Sequence, residues 1–131
     1  MTFKYGIDKL TLPIITAITQ GKIKAELTTQ TIQIIKKCRT NVEQMAKRTK
    51  PLYGINTGFG PLCDVQISSL ETSILQKNLL ITHAVGVGKN IDKELSKIMM
   101  ICKVHALCQG FSGVRLALIE RIIYFIEHNL L

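Results

Sequence analysis

Apolar positions recur three and four residues apart through five segments of the chain, and proline or glycine marks most of the breaks between them. Between residues 8 and 20, Leu10, Thr11 and Leu12 lead into Pro13, which suits a first helical turn. Ile14, Ile15, Ala17 and Ile18 then form an apolar face that stops at Gly21. Lys22 to Leu27 reads as a connection. Thr28 or Thr29 is placed to cap a longer helix reaching about Arg48, with Ile32, Ile35, Val42 and Met45 on one stripe and cations opposite. After Pro51 the helical spacing is lost until Ser68 or Ser69, where Glu71 or Thr72 supplies the second half of a capping signal. The helix that follows carries Ile74, Leu75 and Leu79 to His83.

Two further helices are predicted, from Ile91 to about Gln109 and from Val114 to Leu131. Their apolar residues nearly encircle each axis, which predicts burial on most sides. A chain of 131 residues offers few partners for both, so the core is expected to continue in further sequence or in other subunits. The class is mainly α. The chain amounts to one domain, with a loop-bearing part over about residues 8–90 and a more continuously helical part over about 91–131.

Charge changes this picture only locally. The formal net charge is +8, and residues 1–50 carry ten Lys or Arg against three acidic residues, the remainder seven against six. Around Lys36, Lys37, Arg39, Lys47, Arg48 and Lys50 there is no aromatic, so a solvated helix face with cations toward its C-terminal end is expected, not a nucleic-acid surface. No apolar run approaches the roughly 18 residues of a membrane span. The N-terminus lacks a signal-peptide core, and a cytoplasmic address with no membrane partner is expected. Cys38, Cys63, Cys102 and Cys108 form no CxxC pair and read as reduced, buried or half-buried thiols.

The two glycine-rich breaks hold the candidate chemistry. The first, Tyr53-Gly-Ile-Asn-Thr-Gly-Phe-Gly60, sets three glycines beside a tyrosine and an asparagine; the second, Gly86-Val87-Gly88, follows His83. Glycines so dense raise the entropy lost on ordering, which points to a backbone shape or a close approach. An ordinary connection is the plainer reading of each break, and the two breaks could converge, one bringing a phenol and the other an imidazole. A phosphate loop at Gly86-Val87-Gly88-Lys89 is excluded, since it needs glycine at His83, Ser or Thr at Asn90, and a preceding strand. Neither cluster has the dinucleotide spacing. Cys102, His105 and Cys108 do not read as a metal site: on a helix, residues three apart lie roughly 60° from superposition and six apart about 120°. A core histidine between buried thiols is the expectation there.

Taken together, three stretches resemble the aromatic amino-acid ammonia-lyase family, its histidine ammonia-lyase branch most closely. They are Tyr53 to Gly60, then Leu75-Gln-Lys-Asn-Leu-Leu-Ile-Thr-His-Ala-Val-Gly-Val-Gly88, and Gly110-Phe-Ser-Gly-Val-Arg115, agreeing in order and spacing. The likeness runs from about Thr11 to the last residue. Lys103 and His105 depart from the commonest family form, which has arginine and asparagine there.

The resemblance implies the N-terminal helical portion of a helical-bundle lyase with glycine-rich active-site loops, residues 91–131 beginning the central bundle. It implies Tyr53 as the base that removes a β-proton, Gly60 as a backbone position beside the reacting centre, and His83 as a substrate contact. The Thr82-His83 pair favours L-histidine, converted to trans-urocanate and ammonia, over phenylalanine, while tyrosine lyases can carry a histidine at this position too, so a lyase acting on tyrosine or phenylalanine is the alternative. A phenol with an ordinary pKa of about 10 then needs hydrogen bonds or positive charge to favour phenolate. The family's electrophile, 4-methylidene-imidazol-5-one, forms from an Ala-Ser-Gly triplet. These 131 residues contain none, so the triplet is expected downstream and the chain alone is expected to be inactive. A homotetramer is implied. The contrasting reading is a non-catalytic helical remnant or oligomerisation module that keeps Tyr53 and the glycines for folding alone.

Overall fold

The computed structural model describes residues 2–131. Five α-helices dominate the described residues: α1 (Leu12–Thr19), α2 (Thr29–Ala46), α3 (Ser69–His83), α4 (Lys93–Leu107) and α5 (Leu116–Glu127). The mainly α expectation holds. Two short strands were not expected: β1 (Thr2–Lys4) and β2 (Lys24–Glu26) pair in parallel, Thr2 with Lys24, Phe3 with Ala25 and Lys4 with Glu26. The segment read as a connection over Lys22 to Leu27 therefore contains β2. The chain forms two compact units, Met1–Thr40 with Asn90–Leu131, and Asn41–Lys89.

The first unit holds the core. Phe3, Tyr5, Ile18, Ile35, Ile101, Val104, Leu107, Cys108, Ile119 and Ile126 form one buried cluster, in which α4 packs on both α1 and α5. Strand pairing brings Phe3 into this cluster, and the ladder continues through the Tyr5 N–H to the Glu26 carbonyl at 3.0 Å. Residues 5–8 then turn, with the Ile7 and Asp8 N–H groups returning to the Lys4 carbonyl and the Asp8 carboxylate accepting the Lys4 N–H at 2.8 Å. The helix α1 begins only at Leu12, after an extended Thr11 and with Pro13 in its first turn. At α2, Thr28 Oγ1 accepts the Thr31 N–H at 3.1 Å, which settles the choice of cap, while the buried Thr31 hydroxyl donates to the Tyr5 carbonyl at 2.9 Å. Asp92 caps α4 by accepting the Glu94 and Leu95 N–H groups.

Two expectations are corrected, on the thiols around His105 and on the cations of α2, and a third is met only in part. Within this chain α4 and α5 each bury one stripe, and Leu95, Met99, Leu118 and Tyr124 stay exposed, so burial on most sides is not reached among the described residues. Cys102 is exposed while Cys108 is buried, so His105 does not sit between two buried thiols. The cations Lys47, Arg48 and Lys50 follow α2 and lie outside its last turn, because the helix stops at Ala46. No helix among the described residues is long and apolar enough to cross a membrane.

The second unit is built differently. A loop from Leu52 to Phe59 is followed by a 3-10 turn, Gly60–Leu62, and by α3, whose N-terminus carries a full capping box: the Glu71 N–H donates to Ser68 Oγ, and the Ser68 N–H to the Glu71 carboxylate. An isolated antiparallel bridge joins Thr57 to Gln66 and closes the loop.

Candidate functional site

All three residues singled out by the sequence lie in the second unit. Tyr53 sits on an arch whose feet are tied together: the Ile55 and Asn56 N–H groups donate to the Leu52 carbonyl at 3.0 and 3.2 Å. Its ring meets that of Phe59 edge to face, with centroids 6.1 Å apart, and is otherwise open, 67% exposed. Thr57 is buried and its hydroxyl donates to the Gly58 carbonyl, while the Gly58 N–H donates to the Val65 carbonyl and the Ile67 N–H to the Asn56 carbonyl. The glycine loop is thus held as a small hydrogen-bonded platform with Tyr53 on its open side.

Gly60 opens the 3-10 turn at φ +59°. A Cβ added there would meet nothing within 4 Å, so within this chain the left-handed backbone, and not lack of space, is what calls for glycine. Pro61 follows at once, and the Cys63 N–H returns to the Gly60 carbonyl at 3.1 Å.

His83 is the last residue of α3. Its Nδ1 lies 3.0 Å from the Leu79 carbonyl, which can only accept, so in the neutral ring Nδ1 carries the proton. The Thr82 hydroxyl, also 3.0 Å from Nδ1, donates to the Asn78 carbonyl at 2.8 Å. Nε2 is left as the acceptor of the ring, and His83 lines an open concavity with Gln76, Leu79, Leu80 and Ala84. From His83 through Leu95 every residue is exposed, the second glycine break included. No hydrogen bond or ring contact among the described residues joins Tyr53 to His83: the phenol lies against Phe59, the imidazole against its own helix.

The sequence assigns no role to one further residue of the site. Asn56 is 3% exposed and uses both ends of its amide: Oδ1 accepts the Leu52 N–H at 2.7 Å, and Nδ2 donates to the carbonyls of Arg48 at 3.0 Å and Lys50 at 3.2 Å. The available signal was an amide side chain inside a glycine loop, where Asn commonly replaces missing backbone partners.

Comparison with known proteins bears on what this arrangement is for. The family model for aromatic amino acid lyases matches residues 10–131. The histidine ammonia-lyase of Shouchella clausii is 40% identical over 121 residues, 92% of this chain and 24% of that protein. That of Staphylococcus saprophyticus is 35% identical over 130 residues, 99% of this chain and 26% of that protein. The chain therefore spans about a quarter of the length of these relatives. Among solved structures, the histidine ammonia-lyase from Trypanosoma cruzi matches with a TM-score of 0.82 at 26% identity, covering 96% of this chain and 25% of that one. The ergothionase from Treponema denticola matches with a TM-score of 0.86 at 21% identity over the same shares, a likeness of fold alone. Since the family model covers the chain from residue 10 onward and the folds coincide, this chain belongs to the aromatic amino acid lyase family.

Proposed function

We propose that this chain is part of a histidine ammonia-lyase-like enzyme that converts L-histidine to trans-urocanate and ammonia, with Tyr53 taking the β-proton, Gly60 lining the reacting centre and His83 contacting the substrate. The observation that carries the reading is the 40% identity over 92% of the chain to the Shouchella clausii histidine ammonia-lyase. The geometry at His83 supports the choice of substrate: with Nδ1 donating to Leu79, Nε2 is an acceptor suited to the ring N–H of histidine, which phenylalanine lacks.

Tyr53 must lose its proton to act as a base, and in this chain its ring is two-thirds open to solvent. In the proposed enzyme, further sequence and neighbouring subunits of a cytoplasmic homotetramer cover it and exclude water. The methylidene-imidazolone group activates the amino group for departure in such enzymes. It does not fit this chain by itself, because no Ala-Ser-Gly occurs in it and the face around Tyr53 is open. The chain supplies the base and a substrate contact only, and alone is expected to release no urocanate.

The test uses the full-length polypeptide that carries these residues, assayed for urocanate and ammonia from L-histidine and for the corresponding products from L-tyrosine and L-phenylalanine. Turnover is expected to favour histidine, and Tyr53→Phe to lower kcat by at least about 10²-fold, the usual scale for loss of a general base. Undiminished turnover in Tyr53→Phe would remove the assigned base; preference for tyrosine would remove the assigned substrate.

A further inference from the structure

We infer that Asn56 is the positioning residue for the Tyr53 base, fixing the arch on which the phenol stands; this rests on the reading of Tyr53 given above. Tyr53 lies between Leu52 and Asn56, and Asn56 ties itself back to residues on the other side of Tyr53. Its Oδ1 takes the Leu52 N–H at 2.7 Å, its own N–H donates to the Leu52 carbonyl at 3.2 Å, and its Nδ2 gathers the Arg48 and Lys50 carbonyls at 3.0 and 3.2 Å. A primary amide has two N–H donors, and each of these carbonyls uses one. The Arg48 carbonyl also accepts from Gln66 Nε2 at 3.1 Å, so the same anchor reaches the strand-like segment bridged to Thr57. Few apolar contacts restrain this part of the chain, and at Tyr53 itself the only ring neighbour is Phe59 among the described residues. The direction in which the phenol leaves the backbone is therefore set by the arch, and the arch by one buried amide. A loop serving folding alone would be equally well tied by Asn56. The two roles differ in what the substitution does once the phenol hydroxyl is gone.

Asn56→Asp keeps the shape and the acceptor for Leu52 but faces two carbonyls with an oxygen in place of two donors. In the full-length enzyme it is expected to lower kcat by about 10- to 100-fold, the scale of a misplaced catalytic group, with KM for histidine changed by less than about threefold. In a Tyr53→Phe background the same substitution is expected to add no further loss, because it acts only through the phenol. An unchanged kcat in Asn56→Asp, or a loss that multiplies with that of Tyr53→Phe, overturns the inference. If Asn56→Asp does not fold, Asn56→Ser is read by the same three criteria. If the wild-type polypeptide turns over no amino acid, the lyase reading has failed separately, and the arch is judged by exchange of the Leu52 amide proton. Exchange about tenfold or more faster in Asn56→Ala, with α3 unchanged, supports a loop fixed by Asn56, and unchanged exchange overturns it.

Discussion

A single imidazole nitrogen ties the turn after β1 to α4: the Gly6 N–H donates to His105 Nδ1 at 3.3 Å, and the Phe3 ring lies against the imidazole with centroids 5.6 Å apart. The acceptor exists only while Nδ1 is unprotonated. Burial pushes the His105 pKa below its ordinary value, opposed by the Asp8 carboxylate. The folded chain thus binds protons less readily than the unfolded chain, and stability rises with pH between the two values. The contribution is complete above about pH 6.5 and is lost as pH falls through the lower, folded value. His105→Asn offers Gly6 an amide oxygen that does not titrate. The fall in melting temperature between pH 7.5 and 5.5, roughly the span around that ordinary value, is expected to be smaller in the variant than in the wild type, the other histidines being common to both. An equal fall in the two would remove His105 from the account. Burial acts the other way on the neighbouring Cys108, whose thiol is pushed up to about 11 and stays protonated throughout this range.

At the scale of elements, α3 shows how far local chemistry fixes a boundary. Ser68 and Glu71 exchange hydrogen bonds at 3.2 and 2.9 Å, and the Ser68 side chain, then its backbone, holds the Glu71 carboxyl below the usual range. Ser68→Ala is expected to destabilise the second unit by about 1 kcal/mol, as measured by denaturant unfolding followed with a probe placed in α3. No change in midpoint would mean that the cap carries no weight there. While α2 stops at Ala46, short of the Arg48 expected, the five helices and a cap at Ser68 or Ser69 were legible in the sequence because each depends on residues within four or five positions of one another. The strands were not. Three residues on each side give no period to read, and Thr2 meets Lys24 only because α1 carries the chain across between them. The site divides the same way. Tyr53, Gly60 and His83 stood out through motif and resemblance, whereas the role of Asn56 depends on the Leu52 N–H four residues back and on the Lys50 and Arg48 carbonyls six and eight back, which no pattern marks.

Across the whole molecule, stability and candidate chemistry are segregated. Every member of the buried apolar cluster belongs to the unit made of Met1–Thr40 and Asn90–Leu131. In Asn41–Lys89 the buried described residues are Asn56, Thr57 and Gly58, polar or without a side chain, while Ile74, Leu80, Ile81, Val85 and Val87 are all exposed. A segment held by hydrogen bonds near solvent opens at lower cost than one held by buried apolar area, since each backbone bond has water as a competitor and each core side chain does not. In this chain by itself, α3 and the arch around Tyr53 are therefore expected to exchange their amide protons at least about 100-fold faster than the Ile101 to Leu107 turns of α4. Hydrogen exchange resolved by residue measures this directly. Equal protection in the two units would mean that the second is held by something other than its own burial. The expected result would place the proposed base and substrate contact on the part of the chain that depends most on what packs against it. In the proposed enzyme, the remaining sequence and neighbouring subunits that complete the chemistry would then also order the loop that carries it.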